Sequence, residues 1–267
     1  MKNIKILFGM MVLIAMASCN KVNEPYLKDI VVSGDRVVLL EDYTGVKCVN
    51  CPEAAETAHE LLERYPQNLV VLSVHAGFLA APFVGEPDFR TEAGSTWYET
   101  FGFSANPIGT VNRTKVNNGY GYNSNAWGTK IVEEINKTPE VQFSINPTYD
   151  ESTRKLDFLV KGEFTQEITG DFYIFAGIME DSIQSKQLTE QGVNPQYWHR
   201  HVFRQPVNGI WGESLFVGVT EPSQQFQKSF TTTIDSTYNA DHCYVVSYVY
   251  DNAQEKVILQ AGQAKIK

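Results

Sequence analysis

The chain has 267 residues, 43% of them hydrophobic, and carries a formal net charge of −9. That apolar content is ample for real cores, and the length suggests two domains. The acidic balance argues against nucleic acid and anionic lipid surfaces as partners, since both repel a chain of this sign.

The first eighteen residues read as a removable export signal. Lys2 and Lys5 form a basic start, Ile6 to Met16 an apolar stretch too short to span a membrane as a lasting helix, and Ala17-Ser18 a small-residue exit. Met16-Ala17-Ser18-Cys19 resembles a bacterial lipoprotein processing site, at which Cys19 would be lipidated and become the new N-terminus. Ordinary secretion with cleavage nearby is the other reading, and either puts the protein outside the cytoplasm. Removal of the signal takes away two lysines and no acid, so the mature chain is more acidic still. Residues 19–29 are polar with one proline and read as a tether.

From Val31 to about Lys137 strand and helix signals alternate. A strand-like run, Val37 to Tyr43, leads to Cys48-Val49-Asn50-Cys51-Pro52. Pro52 suits the first turn of a helix, along which Ala54, Ala55, Ala58, Leu61, Leu62 and Tyr65 recur at helical spacing before Pro66 ends it. Leu69 to Val74 has the β-branched composition of a buried strand. A loop with Gly77, Pro82, Gly85 and Pro87 precedes a helix from about Asp88, closed by Gly102. A strand follows Pro107, and Trp127, Ile131 and Ile135 mark a last helical stripe.

Beyond Thr138-Pro139 the texture is that of short strands: Val141 to Ile145, Leu156 to Val160, Phe172 to Ala176, Phe226 to Ile234, Cys243 to Tyr250 and Val257 to Ile266. This pattern predicts an all-β, immunoglobulin-like sandwich over 139–267, behind an α/β domain over 30–138.

The dithiol carries the most chemistry. Two cysteines two residues apart at a helix start can close a small disulfide ring, and the first thiol feels the positive end of the helix dipole. Cys48 is the candidate nucleophile and Cys51 the thiol that resolves a mixed disulfide. In an oxidising envelope the pair is expected to be oxidised, either as a redox site or as a bridge that pins the helix start. Zinc is a third reading, which would need two further ligands and has His75 or Cys243 as candidates; no metal and no cofactor is expected.

His199 and His201 flank Arg200, and on a strand the two imidazoles would share a face, compatible with a metal or anion or with structural hydrogen bonds. Trp198 and Trp211, with Tyr197 nearby, would form either core or a binding surface for sugar or protein. Cys243 sits in an apolar run and is expected to be a buried free thiol.

The residues around the dithiol resemble the thioredoxin superfamily. Asp42 lies six residues before Cys48, where that superfamily carries a buried acid that helps move the resolving thiol's proton. Phe101 to Pro107 resembles the segment leading to its cis proline, so the resemblance implies a thioredoxin-like front domain with Asp42 and a cis Pro107 beside the cysteines. Lys47, Pro52 and Asn106 depart from the superfamily's usual residues. More closely, the lipoprotein start, Thr44 to Pro52, Asn106 to Arg113 and Tyr197 to Arg204 resemble the twenty-eight-kilodalton outer-membrane protein family over nearly the whole mature chain. That resemblance implies an outer-membrane lipoprotein held by a lipid on Cys19, with no settled activity. Thiol-disulfide exchange on envelope proteins is one expectation, with an envelope protein as redox or binding partner. A non-enzymatic adhesion, assembly or ligand-binding protein with a structural Cys48–Cys51 bridge is the other.

Overall fold

A computed structural model describes residues 35–267. The export signal, Cys19 and the tether lie outside the described residues. The front of the chain begins with β1 (Val38–Thr44), α1 (Cys51–Arg64) and β2 (Leu69–His75). Pro52 occupies the first turn of α1, Cys51, Ala54, Ala58 and Leu61 form its buried stripe, and Arg64 stands in its last turn. α2 (Glu92–Thr100) starts on Thr91, whose Oγ1 accepts a hydrogen bond from the Gly94 amide at 2.9 Å. β3 (Ile108–Val111) and α3 (Ser124–Ile135) complete this part.

The rest is strand: β4 (Val141–Asp150), β5 (Lys155–Phe164), β6 (Thr169–Glu180), β7 (Ile183–Thr189), β8 (Gly192–His199), β9 (Val202–Pro206), β10 (Glu213–Val219), β11 (Gln224–Thr233), β12 (Cys243–Asp251) and β13 (Val257–Lys265). Every strand run read from the sequence in this half is present, as β4, β5, β6, β11, β12 and β13. β7 to β10 were not foreseen.

The sheet topology corrects the expected fold class, a thioredoxin-like α/β domain followed by an immunoglobulin-like sandwich. Strands dominate, and no α/β domain stands apart. One eight-stranded sheet runs in the order β13-β12-β6-β9-β2-β1-β3, with β10 added beside β6. The front strands therefore continue into the rear ones. The joint is β9, which meets β2 at Ser73↔Val202 and pairs antiparallel with β6. The amide of Ser73 donates to the His201 carbonyl at 2.8 Å, closing that joint. A strand exposed at the edge of a short parallel pair leaves unpaired backbone groups, and β9 covers them on β2.

Side chains carry the same continuity. Leu39 and Tyr43 of β1 pack in one core with Trp97 of α2, Phe175 of β6, Phe203 of β9 and Tyr248 of β12. Val38 and Leu40, on the other face of β1, pack with α1 and α3. β6 alternates likewise, with Phe172, Ile174, Ala176 and Ile178 turned to a second core under the three-stranded sheet β11-β5-β4. Asn112 and Arg113 adopt positive φ of 48° and 52° at the end of β3. Arg113 is completely buried, pairs with Glu41 of β1, and donates to the Tyr248 hydroxyl of β12 at 2.7 Å. The buried Arg113 thus ties the two halves of the chain.

Candidate functional site

The dithiol is built where β1 gives way to α1. Gly45 lets the Phe78–Ala80 turn approach: a Cβ there would stand 2.6 Å from the Leu79 carbonyl carbon. Lys47 donates its amide to the Leu79 carbonyl at 2.9 Å, and the Cys48 amide donates to the Gly45 carbonyl at 3.0 Å. Cys48 and Cys51 form a disulfide across a Cα separation of 5.4 Å, with Cys51 as the first residue of α1. Each is only 2% exposed.

The cover over the bridge comes from far along the chain. β7 and β8 form a separate two-stranded hairpin, off the main sheet. Gln187 Nε2 donates to the carbonyls of Cys48 and Gly45 at 3.0 and 3.3 Å, and the Leu188 amide donates to the Val46 carbonyl at 2.8 Å. Ser185 Oγ donates to Glu86 at 2.8 Å, and Lys186 pairs with the same carboxylate at 3.0 Å.

Beneath the hairpin lies a small cavity of about 20 Å3, lined by Asp42, Cys51, Ser73, His75, Tyr197 and His199 among others. Asp42 is 1% exposed, and neither carboxylate oxygen has a hydrogen-bond partner. Burial alone pushes its acid up to about 7, because the charged form has lost its water and gained nothing in return. Burial depresses His75 well below the usual histidine range, with His199 and Arg204 adding to it. Burial likewise brings His199 down to about 4, against hydrogen bonds that its ring donates to the backbone of Lys186 and Ser185. The two imidazole centroids are 5.6 Å apart, and His199 also lies 4.9 Å from the Tyr197 ring. Burial, then the nearby Asp42 charge, raise the Tyr197 hydroxyl above its ordinary range.

The residues singled out in the sequence divide clearly. Asp42, Cys51 and His199 line the same cavity, and Cys48 closes the bridge to Cys51. The Asn106–Pro107 bond is cis, the isomer expected, and Asn106 Nδ2 donates to the carbonyls of Thr44 and Ala76 at 2.8 and 2.9 Å. Pro107 itself leads into β3 and does not line the cavity.

His199 and His201 do not share a face. His201 takes a φ of 55° between β8 and β9, which breaks the strand and turns its ring to Asp181, 3.7 Å away. Trp198 is 54% exposed, whereas Trp211 packs against the core. Cys243 is a buried free thiol, which burial pushes up to about 12. Among the described residues no group of three or more His, Cys, Asp or Glu is arranged to hold a metal ion. The sequence offered His75 only as a zinc candidate and gave no sign of Ser73 or Gln187. Ser73 is a lone hydroxyl in an apolar run, and Gln187 lies in a largely polar stretch without strand alternation.

Taken together, the fold and site define a β-rich protein with a hairpin-covered CxxC disulfide set above a buried, unpaired acid. Residues 94–267 match the family model described as Outer membrane protein Omp28, and the chain belongs to that family. Membership puts the protein in the cell envelope. The match includes the covering hairpin and His199, while Asp42, Cys48, Cys51 and His75 precede it.

No curated protein matches the chain. Among solved structures it is similar to a crystal structure of a protein from Agrobacterium tumefaciens, at 11% identity and a TM-score of 0.55. That similarity covers 88% of this chain and 97% of the other and shows a shared fold. A β-glucosidase from Kluyveromyces marxianus matches at 11% identity and a TM-score of 0.24, over 47% of this chain and 14% of the enzyme, which carries no argument about either fold or activity. No helix among the described residues is long and apolar enough to cross a membrane.

Proposed function

We propose that Cys48–Cys51 is a thiol-disulfide exchange site of the cell envelope, reached when the β7–β8 hairpin moves aside. The observation that carries this reading is Asp42, completely buried in the cavity that Cys51 also lines, with no partner for either oxygen. An unpaired buried acid destabilises the fold, and a purely structural bridge has no use for one. A carboxyl group that titrates near neutral pH is suited to passing a proton to and from a departing thiolate.

The exchange runs as follows. A thiolate of a reduced partner attacks Cys48 Sγ, the Cys48–Cys51 bond breaks, and its electron pair leaves on Cys51. Protonated Asp42 gives its proton to Cys51 and becomes a carboxylate. A second thiol of the partner, as thiolate, attacks the partner's own sulfur in the mixed disulfide and releases Cys48 as thiolate. The partner is oxidised to a disulfide and the protein is reduced to a dithiol, and the reverse sequence reduces a partner.

Access requires the hairpin to open. A two-stranded ribbon is marginal by itself, and this one is fastened over the bridge by few direct hydrogen bonds, so opening is a local event. The membrane association of the family is extended here to a lipid on Cys19, which Cys19→Ala tests: release of soluble protein is expected, and unchanged attachment contradicts it.

The rate at which dithiothreitol reduces the bridge, followed across pH in the unaltered protein and in Asp42→Asn, tests the exchange reading. The variant is expected to react at least about tenfold more slowly near pH 7. Equal rates would favour a static bridge clamping the start of α1, the second reading that the 2% exposure of Cys48 supports.

A further inference from the structure

Asp42, His75 and His199 come from β1, β2 and β8, yet they line one cavity of about 20 Å3. In the parallel pairing Asp42 stands opposite Ser73 and Thr44 opposite His75, so Asp42 and His75 are diagonal neighbours on one face of the sheet. Asp42 Oδ1 and Oδ2, His75 Nδ1 and His199 Nε2 are all buried with no hydrogen-bond partner among the protein's own groups. Leaving such atoms without partners destabilises the fold, and their concentration around one space has no use in packing. A cavity of this size accommodates about one water molecule, and its lining offers that water several polar partners.

His75 also leads outward. Its ring packs at 5.0 Å against Phe89, and its backbone bridges to Arg90, whose guanidinium holds Asp88 at 2.7 Å on the exposed loop. The charged and titratable groups around the imidazole pair are Asp42, Tyr197, Arg200, Arg204, Glu86 and Asp88. Burial keeps both histidines neutral at pH 7, the form in which an imidazole offers one donor and one acceptor.

We propose that His75, with His199 beside it, relays protons between Asp42 and water at the exposed loop that carries Asp88, so that Asp42 is recharged during exchange at the covered bridge. This inference rests on the exchange reading above. After Asp42 has given its proton to the Cys51 thiolate, His75 passes a proton to the Asp42 carboxylate through one nitrogen. It takes one from water at the exposed loop through the other and ends in the opposite tautomer. No net charge is left in the interior. His75 and His199 are positioning and relay residues and touch no reacting sulfur in this scheme.

The test is the pH profile of bridge reduction by dithiothreitol in the purified full chain, for the unaltered protein, Asp42→Asn, His75→Phe, His75→Ala and His199→Phe. Both His75 variants are expected to slow reduction about tenfold at pH 8, where Asp42, with its acid at about 7, rests mostly as carboxylate and must be recharged before Cys51 leaves, and to slow it little at pH 6. His199→Phe is expected to slow it less, and added imidazole to restore most of the rate in His75→Ala. Should His75→Phe disturb the contact with Phe89 and unfold, His75→Asn is expected to show the same slowing. Unchanged rates in the His75 variants would overturn the relay, as would a loss in His75→Ala that imidazole does not restore. If Asp42→Asn slows reduction and the histidine variants do not, only the relay falls. If Asp42→Asn also leaves the rate unchanged, the exchange reading falls with it.

Discussion

Glu41 and Asp42 are neighbours on β1 with exposures of 0% and 1%, and the chain treats them in opposite ways. Glu41 Oε1 accepts from Arg113 Nη2 at 2.6 Å, and Oε2 accepts from Arg113 Nε at 3.0 Å and from Thr110 Oγ1 at 2.7 Å. The guanidinium is in turn surrounded by the rings of Tyr248, Phe101, Trp97, Trp211 and Tyr250, at 4.9 to 6.0 Å. On the other face of the strand Asp42 has no partner and adjoins a water-sized space. Burial with a full set of partners fixes a fold, here by joining the front strands to β12. Burial without them leaves a group whose proton is easily moved, and it lines the same cavity as Cys51.

Breaking the paired side gives the largest effect. Arg113→Leu leaves Glu41 buried without its counter-charge and is expected to cost about 3–5 kcal/mol of stability by urea denaturation. A loss below about 1 kcal/mol would mean that Glu41 is not held as described.

The unpaired side should respond with the opposite sign. In the unfolded chain the Asp42 carboxyl ionises near 3.8, whereas in the fold it keeps its proton up to about 7. Between those values the unfolded state binds fewer protons, so the group's contribution to stability falls as pH rises. Asp42→Asn is therefore expected to be more stable than the unaltered protein at pH 8, by at most about 4 kcal/mol, with the difference fading toward pH 4. A variant less stable at pH 8 would show that Asp42 has a partner after all.

The smallest of the three is Thr110→Val, which removes one hydrogen bond to Glu41 and leaves the Arg113 fork in place. A loss of about 1.5–3 kcal/mol is expected, the range for hydrogen bonds to charged groups. No loss would place the whole energy of the paired side in the guanidinium.

Much of the site was legible in the sequence because it is local. The spacing of Cys48 and Cys51, Pro52 at the helix start and Asp42 at the end of an apolar strand are all within eleven residues, and the cysteine bridge and cis Pro107 are present as expected. The fold class was misread because its deciding contact is not local. β9 is short and joins β2 through a single register pair, and nothing in Val202 to Pro206 advertises that it will fuse two halves into one sheet.

The covering hairpin escaped for a different reason. β7 is largely polar, and β8 carries Pro195 and is mostly exposed, so neither shows an apolar alternation. Its polar residues are buried by what they cover, as Ser185 and Gln187 show. Arg113 likewise looks like a surface residue until Glu41 and five aromatic rings from distant segments are brought around it.

The central claim is that the bridge over Asp42 exchanges, and the reduction potential of Cys48–Cys51 tests it most directly. Equilibrated against a dithiothreitol or glutathione redox buffer at pH 7, the pair is expected to show a potential above about −300 mV, within reach of envelope thiols. A potential below about −300 mV, where structural bridges lie, would contradict the account.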